Sequence, residues 1–126
     1  WVEAGTDRSV SAAGARRRDF GDAACEERTL MHMQYNDCCQ GPNGFPGPLE
    51  WEFHLPNGQY RITATAGDYY RNSRHFLRET YSGATVLAAK APTGLQQFFT
   101  GVADIDVQHG KIRLSAQGGG RNTKIN

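Results

Sequence analysis

Trp51-Glu52-Phe53-His54-Leu55-Pro56-Asn57-Gly58-Gln59-Tyr60-Arg61-Ile62-Thr63-Ala64-Thr65-Ala66 is the stretch on which the fold turns. Trp51, Phe53 and Leu55 alternate with Glu50, Glu52 and His54. After Pro56-Asn57-Gly58, Tyr60, Ile62, Ala64 and Ala66 alternate with Arg61, Thr63 and Thr65. Period-two alternation puts one set of side chains on each face of an extended strand, so each half reads as a strand with one buried face. Pro-Asn-Gly supplies turn chemistry between them, so the expectation is a hairpin with Trp51 in the core.

The same period continues downstream. His75 to Tyr81 reads as a strand, Ser82-Gly83 as a turn and Thr85 to Ala89 as another strand, with a break at Pro92-Thr93-Gly94. Phe99, Ala103, Ile105 and Val107 mark a longer strand over Phe98 to Val107. His109-Gly110 turns the chain into Ile112, Leu114 and Ala116. Gly118-Gly119-Gly120 precedes Arg121-Asn122-Thr123-Lys124-Ile125-Asn126. Short strands punctuated by turn residues predict an all-β antiparallel sandwich. Upstream, residues 1–24 read as a loop-rich entry segment with a short strand near Trp1-Val2, and Asn36 to Pro48 as a loop broken by Pro and Gly. Glu27 to Tyr35 suits a helix begun at Asp22 and a strand equally well.

The totals narrow the function classes. A chain of 126 residues is one domain's worth, and 1–126 is read as one sandwich domain with its body over 27–126. Lys+Arg 14 against Asp+Glu 13 gives a net charge of +1, which leaves no electrostatic footprint for nucleic acid. Arg16-Arg17-Arg18 is followed at once by Asp19 and Asp22, as in a solvated loop. No apolar run approaches the roughly 18 residues of a membrane span, so no membrane insertion is expected. Cys25, Cys38 and Cys39 match no zinc spacing. Adjacent cysteines bridge each other only under strain, so Cys25 is expected to pair with Cys38 or Cys39 and leave one thiol over, the alternative being three reduced thiols. The abrupt start at Trp1 and the end just after Ile125 read as those of a piece of a longer chain.

Leu49-Glu50-Trp51-Glu52-Phe53, Leu55-Pro56-Asn57-Gly58-Gln59-Tyr60-Arg61-Ile62, Gly67-Asp68, the strand with His75, Val107-Gln108-His109-Gly110-Lys111-Ile112-Arg113-Leu114 and Asn122-Thr123-Lys124-Ile125-Asn126 occur in that order. In that order they resemble the malectin-like and galactose-binding-like β-sandwich domains of secreted proteins and glycoside hydrolases. Arg28-Thr29-Leu30-Met31-His32-Met33-Gln34 is similar to a strand those domains carry, which tips that segment from helix to strand. The resemblance implies a jelly-roll sandwich lacking its first and last strands here, an extracellular or cell-surface location, and a non-catalytic carbohydrate-binding module serving adhesion or targeting. It leaves room for an accessory piece of a glycoside hydrolase. The rival expectation is a structural subunit of an extracellular filament, sheath or complex, self-associating or joining a neighbouring protein chain through strand pairing or an intermolecular disulfide.

Glycan recognition needs aromatic faces and planar polar side chains on loops at one end of a rigid frame. Asp68-Tyr69-Tyr70-Arg71-Asn72 offers all of these in five residues. Arg121, Asn122 and Lys124 form a second candidate group, with Trp1 and Phe45 as further stacking surfaces. Set against this, Asp68 suits a turn cap, and Arg121 and Lys124 suit solvated charges. Related sandwiches hold structural Ca²⁺, and Asp104 with Asp106 is the candidate metal pair. Two carboxylates are too few for the six to eight oxygens that Ca²⁺ takes, and an outward polar face is the plainer reading. No Gly-x-Ser-x-Gly, His-Glu-x-x-His or phosphate-loop motif is present, and no catalytic residue is assigned.

Overall fold

The computed structural model describes residues 1–9, 15–17, 29–33, 49–68 and 73–126. Among these there is no helix. The strands are β1 (Val2–Glu3), β2 (Ala15–Arg17), β3 (Thr29–His32), β4 (Leu49–His54), β5 (Gly58–Gly67), β6 (His75–Glu79), β7 (Thr85–Lys90), β8 (Phe98–Val107), β9 (Lys111–Ser115) and β10 (Lys124–Ile125). They form two antiparallel sheets, ordered β1-β4-β9-β6-β7 and β2-β3-β10-β5-β8. The all-β expectation holds, and the ambiguous segment before residue 36 contributes a strand, β3.

The core lies between the sheets. Leu77, Leu87, Ile112 and Leu114 come from the first sheet, and Ile62, Ala66, Phe99, Ile105 and Val107 from the second, all buried. The alternation predicted for β5 and β8 is what delivers these side chains to one face.

The junction between β4 and β5 overturns the predicted hairpin. β4 pairs with β1 and β9, whereas β5 pairs with β8 and β10, so Pro56-Asn57-Gly58 carries the chain from one sheet to the other. The β8–β9 turn makes the same crossing beside it. The two arches are latched: Leu55 N–H donates to Gly110 O (3.1 Å), and Asn57 Oδ1 accepts Gly110 N–H (2.8 Å). Pro56 has no N–H to give a local ladder. The pairing groups of β5 find a continuous ten-residue partner in β8, in unbroken register from Gly58↔Val107 to Gly67↔Phe98.

β4 departs from its pattern too. Trp51 is only half-buried, Phe53 is 54% exposed, and Glu50, expected outward, is 3% exposed. The two rings stack at 5.7 Å between centroids. Glu50 is buried because the outer face of this sheet is covered and polar. Arg113, opposite Glu52 in β9, donates through Nε to the Glu52 carboxylate and ion-pairs with Asp7 of the N-terminal segment, and Thr80 Oγ1 donates to Glu50 Oε1 (3.2 Å). Along β4 burial falls off from Leu49 and Glu50 to the exposed Phe53 and His54, so exposure here follows position along the strand and not face alone.

At the other side of the sandwich β7 crosses close over β8. A Cβ on Gly101 would lie 2.1 Å from Val86 O, so only the absent side chain lets these backbones meet. Crowding sets this position, not unusual dihedrals.

Candidate functional site

Asp68 of the first candidate group and Arg121, Asn122 and Lys124 of the second converge on one end of the sandwich. β5 ends at Gly67 and hands the chain to Asp68, and β6 begins just after Ser73. β10 enters from the glycine-rich turn and inserts between β3 and β5. Mutual backbone hydrogen bonds between Arg74 and Arg121 (2.8 Å each way) tie these entry points together across the two sheets.

Lys124 is at the centre and is 2% exposed. Its Nζ lies 3.3 Å from Asp68 Oδ2 and donates to Ser73 Oγ at 2.8 Å. Asp68 is fully buried and Ser73 is buried. Asn122 Nδ2 also donates to Ser73 Oγ (3.4 Å), and Asn122 Oδ1 accepts from His32 Nδ1 of β3 (3.1 Å). Asn122 sits at φ +52°, a left-handed backbone that Asn tolerates better than most residues, and this turns its amide inward. Thr123 Oγ1 donates to Arg74 O (3.2 Å).

His75 completes the cluster from β6. It is fully buried, and its Nδ1 accepts the Lys124 backbone N–H at 3.4 Å, a bond between the two sheets. With Nδ1 accepting, the neutral ring carries its proton on Nε2, which has no hydrogen-bond partner among the described residues. Burial pushes the imidazole pKa down to about 4, the Lys124 charge pushes the same way, and Asp68 opposes both.

The consequence is mechanical. Residues 69–72 are flanked by Asp68 on one side and Ser73 on the other, and one ammonium group holds both flanks. Such a buried charge demands partners of good geometry, which fixes where the two feet stand. Asp68, Asn122 and Lys124 therefore act as positioning residues here, since none reaches the surface. Arg121 is exposed at the same end, beside exposed Arg74. Tyr69, Tyr70, Arg71 and Asn72 lie outside the described residues, as do Phe45 and the cysteines Cys25, Cys38 and Cys39. Trp1 is half-buried against the core.

Ser73, the bond of His32 to Asn122 and the bond of His75 to the Lys124 backbone are not singled out by the sequence reading. The signal was the spacing: Ser73, His75, Leu77 and Glu79 are all buried, and they alternate along one face. The solvated reading holds for Arg121 and fails for Lys124. For the metal pair, Asp104 is gripped by Arg61 through Nε (2.7 Å) and Nη2 (3.0 Å), and Asp106 accepts from Gln108 Nε2 (2.8 Å). Among the described residues no group of three or more His, Cys, Asp or Glu side chains is arranged to hold a metal ion.

Comparison of the chain with protein-family models, curated proteins and solved structures finds no match.

Proposed function

We propose that this chain is a non-catalytic carbohydrate-binding module of extracellular type, acting in adhesion or targeting through the end of the sandwich that carries residues 68–74 and 121–124. The observation that supports this reading is the double anchoring of one loop. The segment richest in sugar-binding side chains, Tyr69-Tyr70-Arg71-Asn72, has both flanks tied to the Lys124 ammonium. A loop with fixed feet loses less conformational freedom on binding, which is how a weakly interacting ligand such as a sugar is held. Two tyrosines, a guanidinium and an amide supply stacking and paired hydrogen bonds, and Arg121 adds a donor at the same end.

A glycan array probed with the intact domain tests the reading. Binding to a restricted set of glycans, unchanged by EDTA, is the expected result. A folded sample that binds nothing overturns it, and points to the assembly-subunit role instead.

A further inference from the structure

The outer face of the β5–β8 ladder carries a recess of about 550 Å³ lined by Gln59, Tyr60, Arg61, Asp104, Ile105 and Asp106. That volume is within the range of small-ligand sites. Alternation turns Gln59, Arg61, Asp104 and Asp106 outward, while Ile105 is buried on the other side.

The outward residues are paired across the strands. Arg61 lies opposite Asp104, and Gln59 opposite Asp106, one strand repeat of about 7 Å further on. Arg61 and Asp104 meet fork to fork, and their side chains are 70% and 69% exposed. This contact uses two of the five guanidinium N–H donors and one lone pair on each carboxylate oxygen, leaving donors and acceptors side by side and open to solvent. Gln108 steadies Asp106 in the same manner. The frame beneath is the longest uninterrupted ladder in the described chain, and side chains carried on strands are held more precisely than on loops.

The charges define the occupant. One guanidinium faces two carboxylates and is already neutralised by one of them, so an anionic ligand meets no spare cation. With Asp104 engaged by Arg61, a hard cation meets too few oxygens. The four outward side chains end in polar groups that a purely hydrophobic partner would leave unsatisfied, while Tyr60 adds a ring to the lining of the recess. What remains matched is a neutral polyhydroxyl compound, whose adjacent hydroxyls both donate and accept.

We infer that the Gln59/Arg61/Asp104/Asp106 face is a second glycan-binding site, which takes neutral sugar units through adjacent hydroxyls. The inference rests on the carbohydrate-binding reading but uses a different part of the molecule. Arg61 and Asp68 are separated by seven residues of extended chain, roughly 23 Å.

A titration followed by ¹⁵N NMR, including the arginine Nε–H resonances, separates the two claims. The probes are cellohexaose, xylohexaose and mannohexaose, each added to about 10 mM because open sugar sites bind weakly. The inference expects shifts at Gln59, Arg61 Nε–H, Asp104 and Asp106 with at least one probe. It also expects these to weaken by tenfold or more in Arg61→Ala, with shifts at Arg74 and Arg121 unchanged in that variant. Shifts confined to residues 74 and 121–124 would overturn the second site and leave the loop site standing. Shifts confined to the β5–β8 face would support the second site and count against the loop site. No shift with any probe, from a sample that retains binding on the array, overturns the second site alone. If the array binding is also absent, both readings fall.

Discussion

His75 and Lys124 show how a few buried polar atoms can set the behaviour of one end of a β-sandwich. His75 is held neutral by burial and by the neighbouring ammonium, and its folded pKa of about 4 lies below the ordinary 6.5. A depressed pKa means the unfolded chain takes up the proton first. The contribution of this residue is therefore intact above pH 6.5 and is lost as pH falls through the window down to about 4. The loss amounts to something on the order of 3 kcal/mol. Urea denaturation at stepped pH should show stability falling between pH 6.5 and 4.5, and His75→Gln should flatten that slope. An equal slope in both proteins would place the linkage elsewhere. Lys124 carries a second residue-scale prediction. Lys124→Met removes the cation beside the fully buried Asp68 carboxylate and should cost about 3 kcal/mol in the same assay, because a buried charge that loses its partner is strongly destabilising. The double variant Asp68→Asn/Lys124→Met should recover part of that loss. None of this was legible from residue types. Read singly, Asp68 and Lys124 each suit a ligand contact, with a turn cap as the alternative for Asp68 and a solvated charge for Lys124. What joins them is sheet order, and no local pattern in the sequence encodes the insertion of β10 between β3 and β5.

At the scale of elements, the strands were legible and their partners were not. Phe98–Val107 appears with the predicted bounds, and β9 and β6 lie within a residue or two of theirs, because alternation over a half-buried strand is a strong local signal. Pro56-Asn57-Gly58 was legible as a turn but not as an arch. A strand–turn–strand pattern is the same whether the second strand pairs beside the first or crosses the core to the other sheet. The choice is made by Gly110 and Asn57, 53 residues apart in sequence, and by the ten-residue match of β5 to β8. Asn57→Ala should cost about 1 kcal/mol, the worth of a typical hydrogen bond. Gly101 gives a larger effect. A methyl group there meets the Val86 carbonyl oxygen at 2.1 Å, so Gly101→Ala must push β7 away from β8. It should cost about 2–3 kcal/mol by thermal or chemical denaturation, as overpacking does. A near-neutral effect would contradict the described approach of the two strands.

At the scale of the whole molecule, the described residues form a two-layer frame whose polar contacts gather chiefly in three places. Where Asp68 and Ser73 meet β10 lies the Asp68–Ser73–His75–Asn122–Lys124 cluster. On the outer face of β4 and β9, Arg113 joins Glu52 to Asp7 and straps the N-terminal segment down. On the outer face of β5 and β8 lies the Arg61–Asp104 ladder. The first joins Asp68 to Ser73, the second joins the N-terminal segment to β9, and the third faces solvent in an open recess. Of these, the first underlies the proposal that this chain binds glycans. The measurement that tests it most directly is the affinity of the wild-type domain and of Tyr69→Ala/Tyr70→Ala for the strongest glycan on the array. The account predicts a loss of at least tenfold, about 1.4 kcal/mol or more, with the denaturation midpoint little changed. Equal affinity in the two proteins would contradict it, since Tyr69 and Tyr70 would then take no part in binding.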